Sequence, residues 1–151
     1  MGKRLLLFLF CCLPMVGMGQ TVTWTGADDG WDWSNPLNWN ESRVPSISEN
    51  VEISDVVGGK FGTQIFIEDS QTAGGENAFC KDLILGENVT LYIGSKDQTN
   101  MTTLTIEGNF NLNGGEVVSY NPSKIVFSGD NQYLPSITYR DLFLVGGYES
   151  N

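Results

Sequence analysis

Residues 82–94 read DLILGENVTLYIG, residues 103–112 read TLTIEGNFNL, and residues 124–129 read KIVFSG. Each segment alternates apolar with other side chains over a few positions and is bounded by Gly or Asn. This is the pattern of short β-strands that are joined by tight turns. No long segment of the chain shows helical periodicity, so the sequence predicts an all-β protein.

The apolar pairs of these segments recur at a regular interval. One series has steps of 21, 21 and 17 residues, and a second series also has a step of 21 residues. A period near 20 is typical of solenoids, in which each coil buries its aliphatic side chains on the coil before it. The first series is Leu83/Leu85, Leu104/Ile106, Ile125/Phe127 and Leu142/Leu144; the second is Val89/Leu91, Phe110/Leu112 and then Tyr133.

These two series predict a short right-handed parallel β-helix with two strands in each coil. Gly and Asn would form the corners, because they tolerate positive φ better than other residues. A β-sandwich is the alternative, since it also spaces its strands regularly. A sandwich, however, requires no match between strands at a constant offset.

The N-terminal segment has the features of a secretory signal peptide. Lys3 and Arg4 precede a short apolar run that ends at Met18, and small residues lie at the −3 and −1 positions of a cut after Gly19. The apolar run is too short to span a bilayer comfortably. We therefore expect a secreted or outer-surface protein that does not span the membrane after cleavage.

The sequence divides into three predicted regions. Residues 1–19 are the predicted signal peptide, residues 20–48 a Trp-rich N-terminal cap, and residues 49–151 the coils of the β-helix. The sequence stops soon after a predicted strand and turn, with no polar cap of the kind that solenoids require. We therefore expect the coils to be truncated at the C-terminus and the chain to be a fragment of a longer protein.

Composition excludes several classes of function. Without residues 1–19 the chain has 6 basic and 18 acidic residues, a net charge of −12, which disfavours nucleic-acid binding. The absence of histidine excludes Ser-His-Asp and Cys-His catalysis. Only Cys80 would remain, so no internal disulfide can form. No column of acidic residues recurs at the coil period, although glycosidases need paired carboxylates. We assign no catalytic residue.

All four tryptophans lie in residues 23–39, TWTGADDGWDWSNPLNW. We interpret this stretch as a cap, because indole rings bury large areas and can cover the apolar end of the first coil. Two alternatives remain open: a sugar-binding platform and a calcium site, since carboxylate oxygens suit Ca²⁺. The sugar-stacking candidates are Trp31, Trp33 and Trp39, and the calcium candidates are Asp28, Asp29 and Asp32; no other cofactor is predicted.

The first part of the predicted mature chain contains the motifs Trp24-Thr25-Gly26, Trp33, Asn35-Pro36, Asn38-Trp39, Val44-Pro45 and Asn50-Val51-Glu52-Ile53. With these motifs it resembles the opening of large secreted β-helix proteins that are common in the Bacteroidetes. It is also similar to the eight-glycine domain of some extracellular eukaryotic proteins. The resemblance implies an adhesin-like surface protein, exported by the type IX system through a C-terminal sorting domain, which this sequence lacks.

Together, the residues and the resemblance predict a structural or adhesin-like β-solenoid module that is not an enzyme. Its expected partners are extracellular polysaccharide or other surface proteins. The alternatives are a carbohydrate-binding module that uses the tryptophans, and a polysaccharide-degrading β-helix enzyme.

Overall fold

The structure is a computed structural model that describes residues 19–68, 77–96, 99–137 and 142–144. The predicted signal peptide, apart from Gly19, lies outside these residues. No helix in the described ranges is long and apolar enough to cross a membrane. The elements are β1 Thr21–Thr23, the 3-10 helix Pro36–Asn38, β2 Asn50–Ile53, β3 Thr63–Ile67, β4 Asn77–Cys80, β5 Leu83–Leu85, β6 Val89–Ile93, β7 Thr102–Ile106, β8 Phe110–Leu112, β9 Glu116–Ser119, β10 Ser123–Phe127 and β11 Leu142–Leu144.

These strands form three parallel sheets. Sheet A has the order β1-β2-β5-β8, sheet B has the order β3-β6-β9, and sheet C has the order β4-β7-β10-β11. Successive strands visit A, B and C in turn, so the chain winds through three stacked coils from β2 to β10. This confirms the predicted parallel β-helix. The alternative, a β-sandwich, is wrong, because a sandwich is built from antiparallel sheets.

The first series of apolar pairs is confirmed from Leu104 onward. In sheet C, Leu104 pairs with Ile125, and Ile125 with Leu142. The prediction is wrong for Leu83, which belongs to sheet A and lies between Val51 and Phe110. Ala78, not Leu83, occupies the position before Leu104.

The second predicted series is wrong, because it joins strands of different sheets. Val89 and Leu91 belong to β6 in sheet B, whereas Phe110 and Leu112 belong to β8 in sheet A. Tyr133 is exposed and lies outside the strands. The physical reason is that coil length is not constant: along sheet C the paired residues are 26, 21 and 17 positions apart. Each coil also contains three strands, not two.

The core runs between the three sheets. Strands β3, β6 and β10 alternate buried and half-buried side chains, as expected of strands with one face on a core. Cys80 is fully buried among these side chains, and burial raises the pKa of its thiol well above the usual range. The thiol is therefore protonated and unreactive in the folded protein.

The corner between sheets A and B is built from left-handed residues. Gly62, Asn88 and Gly114 have φ of 59°, 58° and 91°, and the register of sheet B places them at equivalent positions in successive coils. Glycine and asparagine adopt this conformation at the lowest cost. The sequence predicted the residue types of this corner, but it did not assign the individual residues that form it.

Candidate functional site

Three of the four tryptophans close the N-terminal end of the core. Trp24, Trp33 and Trp39 are at most 4% exposed and belong to the same apolar cluster as the first coil. The ring of Trp39 packs edge-to-face on the other two, with centroids 4.9 Å from Trp24 and 4.8 Å from Trp33. Its Nε1 also donates to the Trp33 carbonyl oxygen at 2.9 Å. The predicted cap is therefore confirmed.

The loop that carries these rings is held by the buried side chain of Asn38. Its Oδ1 accepts hydrogen bonds from the backbone N–H groups of Asp28 and Gly30, at 3.1 and 3.3 Å. Its Nδ2 donates to Asp29 Oδ1 at 2.7 Å and to the Asp32 carbonyl oxygen at 3.0 Å. The sequence analysis singled out Asn38 only as part of the Asn38-Trp39 motif and missed this role, because the residue type does not show how the loop closes around it.

The three candidate calcium ligands accept hydrogen bonds from groups within their own loop. Asp28 and Asp29 both accept from the Asn35 side chain at 2.8 Å, and Asp32 Oδ1 accepts from the N–H and hydroxyl of Ser34 at 2.8 Å. Across the described ranges, no group of three or more His, Cys, Asp or Glu side chains is placed to hold a metal ion. The arrangement gives no support to the calcium prediction.

Asp29 is the most heavily bonded of the three carboxylates. Partial burial raises its pKa, but hydrogen bonds from the Trp31 N–H, Asn35, the Asp32 N–H and Asn38 outweigh burial and lower the pKa to about 2. The charged form is thus the one that the folded loop requires.

The cap is joined to the first coil by an ion pair between Arg43 and Glu49. The N–H and hydroxyl of Ser46 also donate to Glu49, both at 2.9 Å. The Arg43 hydrogen bond is the main cause that lowers the pKa of the almost fully buried Glu49 to about 2, against the opposing effect of burial.

Because of this ion pair, we expect the free energy of unfolding to decrease in acid. Because the pKa of Glu49 is lower in the folded state, the unfolded chain binds more protons at low pH. The stability that the ionised Glu49 contributes is present above pH 4.5 and is lost as pH falls toward 2. We expect Glu49→Gln to flatten this dependence in urea titrations at successive pH values. Glu52→Gln, an exposed change on β2, should leave it unchanged, and equal flattening by both variants would contradict the assignment.

The sugar-stacking candidates do not share one environment. Trp33 and Trp39 are buried in the cap, so their rings offer no face to a ligand in this structure. Trp31 is 40% exposed and keeps the accessibility that sugar stacking requires. Of the three, only Trp31 remains a candidate.

Trp31 lies at one end of a column of aromatic rings on the outer face of sheet B. Phe66 and Tyr92 are register partners whose rings stack at 4.5 Å and 8°. Tyr120 continues the column, with its centroid 6.3 Å from Tyr92. Trp31 stands at 80° to Phe66 at 6.1 Å, so it is not part of the parallel stack. We call these four residues the aromatic column.

Two carboxylates lie beside the Trp31 end of the aromatic column. Asp32 forms a parallel β-bridge with Phe66, and the half-buried Glu68 directly follows the end of β3. Burial, and secondarily the charge of Asp32, raise the pKa of Glu68. Within the described residues, neither carboxylate forms an ion pair.

Comparison with protein-family models, curated proteins and solved structures finds no match to this chain.

Proposed function

We propose that this chain is a secreted or cell-surface β-helix module with a structural, adhesin-like role and no catalytic activity. The observation that carries the proposal is the stacking of three coils in register, with Trp24, Trp33 and Trp39 covering one end. Parallel strands lie about 4.8 Å apart, so outward side chains repeat at that interval along each face. Such a face suits contact with a long, repetitive polymer or with another surface protein.

Charge and the N-terminal segment support the same proposal. The chain has 18 acidic and 8 basic residues, and two of those basic residues are in the predicted signal peptide. An acidic protein of this kind repels nucleic acid and suits an extracellular setting. The predicted cut after Gly19 would release a chain that begins just before β1, leaving the cap whole.

Export is tested by producing the full chain in a Gram-negative host and determining the N-terminus of the exported protein by mass spectrometry. We expect an N-terminus at Gln20 outside the cytoplasm. Leu7→Arg, which interrupts the apolar run, should leave an uncut chain in the cytoplasm. An intact N-terminus in the cytoplasm for the unaltered chain would refute the secretion part of the proposal.

The proposed absence of catalytic activity is tested with the purified protein and a panel of polysaccharides. We expect no new reducing ends and no unsaturated products after long incubation. Formation of either product, if abolished by heat unfolding of the protein, would instead support the β-helix enzyme alternative.

A further inference from the structure

The aromatic column carries an inference that deepens the proposed function, because an adhesive module needs a ligand. We propose that the Trp31 end of the column, with Asp32 and Glu68, binds a glycan that carries cationic amino groups, that is, an amino-sugar polymer. The site is the outer face of sheet B, where side chains from successive coils are brought into line by the register.

The rings provide the apolar part of the site. Trp31 is turned away from the stack and is the most exposed of the four rings, so it offers indole surface to the C–H face of a pyranose. Phe66 and Tyr92 are half-buried, and their mutual stacking leaves ring edges toward solvent. A glycan that follows the column would therefore meet Trp31 first and then a row of ring edges.

The acidic pair determines the charge of the ligand. The bridge between Asp32 and Phe66 brings Asp32 to the end of β3, which Glu68 follows. Burial, and secondarily the charge of Asp32, disfavour ionisation of Glu68, and no described cation forms an ion pair with either carboxylate. A ligand ammonium group placed between these carboxylates would relieve the repulsion and gain charge-assisted hydrogen bonds. The same charges repel uronic-acid polymers, which excludes acidic glycans.

The same region of the molecule already holds ammonium groups over aromatic rings. Lys96 Nζ lies 5.9 Å from the centroid of Tyr120, at the far end of the aromatic column. Lys60 Nζ lies 5.7 Å from the ring of Phe61, just before β3. Rings in this setting attract cations. The Trp31 end has the ring and two carboxylates, and within the part of the chain that the structure describes no lysine lies over the Trp31 ring.

A second polar column can bind the sugar hydroxyls. The register aligns Gln64, Thr90 and Glu116 on the outer face of sheet B. Gln64 and Thr90 lie two residues before Phe66 and Tyr92 on the same strands. An amide, a hydroxyl and a carboxylate are the groups that commonly bond sugar hydroxyls. This column favours a glycan, because it offers contacts that a cationic peptide bound through the acidic pair alone would not use.

The test compares a glucosamine oligomer with its fully N-acetylated counterpart, which has the same backbone without the charge. Binding is measured by isothermal titration calorimetry in mildly acidic buffer of low salt. We expect the glucosamine oligomer to bind at least about tenfold more tightly than the acetylated one, the order of effect of one good charged contact. Equal binding of the two would overturn the proposal.

Variants place the site on this face. Trp31→Ala and Glu68→Gln are each expected to weaken binding about fivefold to tenfold, since each removes one direct contact. Glu107→Gln removes the same charge from an exposed position outside sheet B and should change binding by less than about twofold. Circular dichroism confirms that each variant is folded. Equal weakening by Glu68→Gln and Glu107→Gln would show non-specific attraction to an acidic protein and overturn the site.

Oligolysine serves as the competing cation. If it binds as tightly as the glucosamine oligomer and with the same dependence on Trp31, the ligand is a cationic peptide and the glycan proposal is wrong. Failure of every cation to bind would overturn this inference alone, because the export and polysaccharide-turnover experiments test the proposed function independently.

Discussion

Replacing Trp33 with alanine is expected to lower the free energy of unfolding by about 3–5 kcal/mol, the usual cost of deleting a buried aromatic side chain. Trp33 is fully buried, and its ring packs on Trp39 with centroids 4.8 Å apart. Its Nε1 has no hydrogen-bond partner within the described residues, so the loss is one of packing and apolar burial. Without this ring the first coil would expose the end of the core to water.

The matched control is Trp31→Ala, which removes the same side chain from a position that is 40% exposed. We expect it to cost about 1 kcal/mol, as is usual for changes outside the core. Urea unfolding of the protein lacking residues 1–19, followed by far-UV circular dichroism, measures both. Similar losses for the two variants would mean that Trp33 does not seal the core.

Gly62→Ala is expected to destabilise the protein by about 3–4 kcal/mol, from two independent causes. Gly62 has φ of 59°, which is unfavourable for alanine. A Cβ there would also lie 1.8 Å from the carbonyl oxygen of Asn88 in the next coil. That oxygen accepts from the Thr63 N–H at 2.9 Å, so it cannot move away without breaking a hydrogen bond between coils.

Gly58→Ala separates the two causes. Gly58 has φ of 69°, but a Cβ there would meet no atom within 4 Å. This variant should therefore show only the conformational cost, about 1 kcal/mol. A calorimetric comparison of the two variants isolates the steric contribution of the stacked corner. If Gly62→Ala is no more destabilising than Gly58→Ala, the coils are not packed as closely at this corner as the structure shows.

The two tryptophan variants also bear on the proposed glycan site. Trp33→Ala is expected to affect stability, whereas Trp31→Ala is expected to affect binding. Because these residues are two positions apart, any general disturbance of the loop would appear in both measurements. A variant at Trp31 that keeps its stability and loses binding would separate recognition from capping.

The alternation of apolar side chains predicted the strands more reliably than the interval between apolar pairs predicted which strands stack. The segments around Leu83, Leu104 and Ile125 do form strands with these side chains inward, because a period of two assigns each residue to a face. Their grouping into columns failed at Leu83. A constant interval identifies stacked strands only if every coil has the same length, and here the loops between strands differ in length.

The tryptophan stretch shows a similar limit. Its composition correctly predicted a cap, but nothing in it distinguished Trp31 from Trp33. In the structure Trp31 is 40% exposed and Trp33 is fully buried. Indole is both apolar and able to hydrogen-bond, so it suits a core and a binding surface equally well. The role of Asn38 was likewise hidden, because its four side-chain hydrogen bonds depend on how the loop closes around it.

Short alternating strands, Gly and Asn corners and clustered indoles are local features, so a parallel β-helix with a Trp-rich end could be predicted from the residues alone. The stacking partners of each strand, the exposure of Trp31 and the column of Phe66, Tyr92 and Tyr120 beside it became visible in the folded chain. The reason is that register between coils depends on the length and path of every intervening loop, and this is settled by packing of the whole chain.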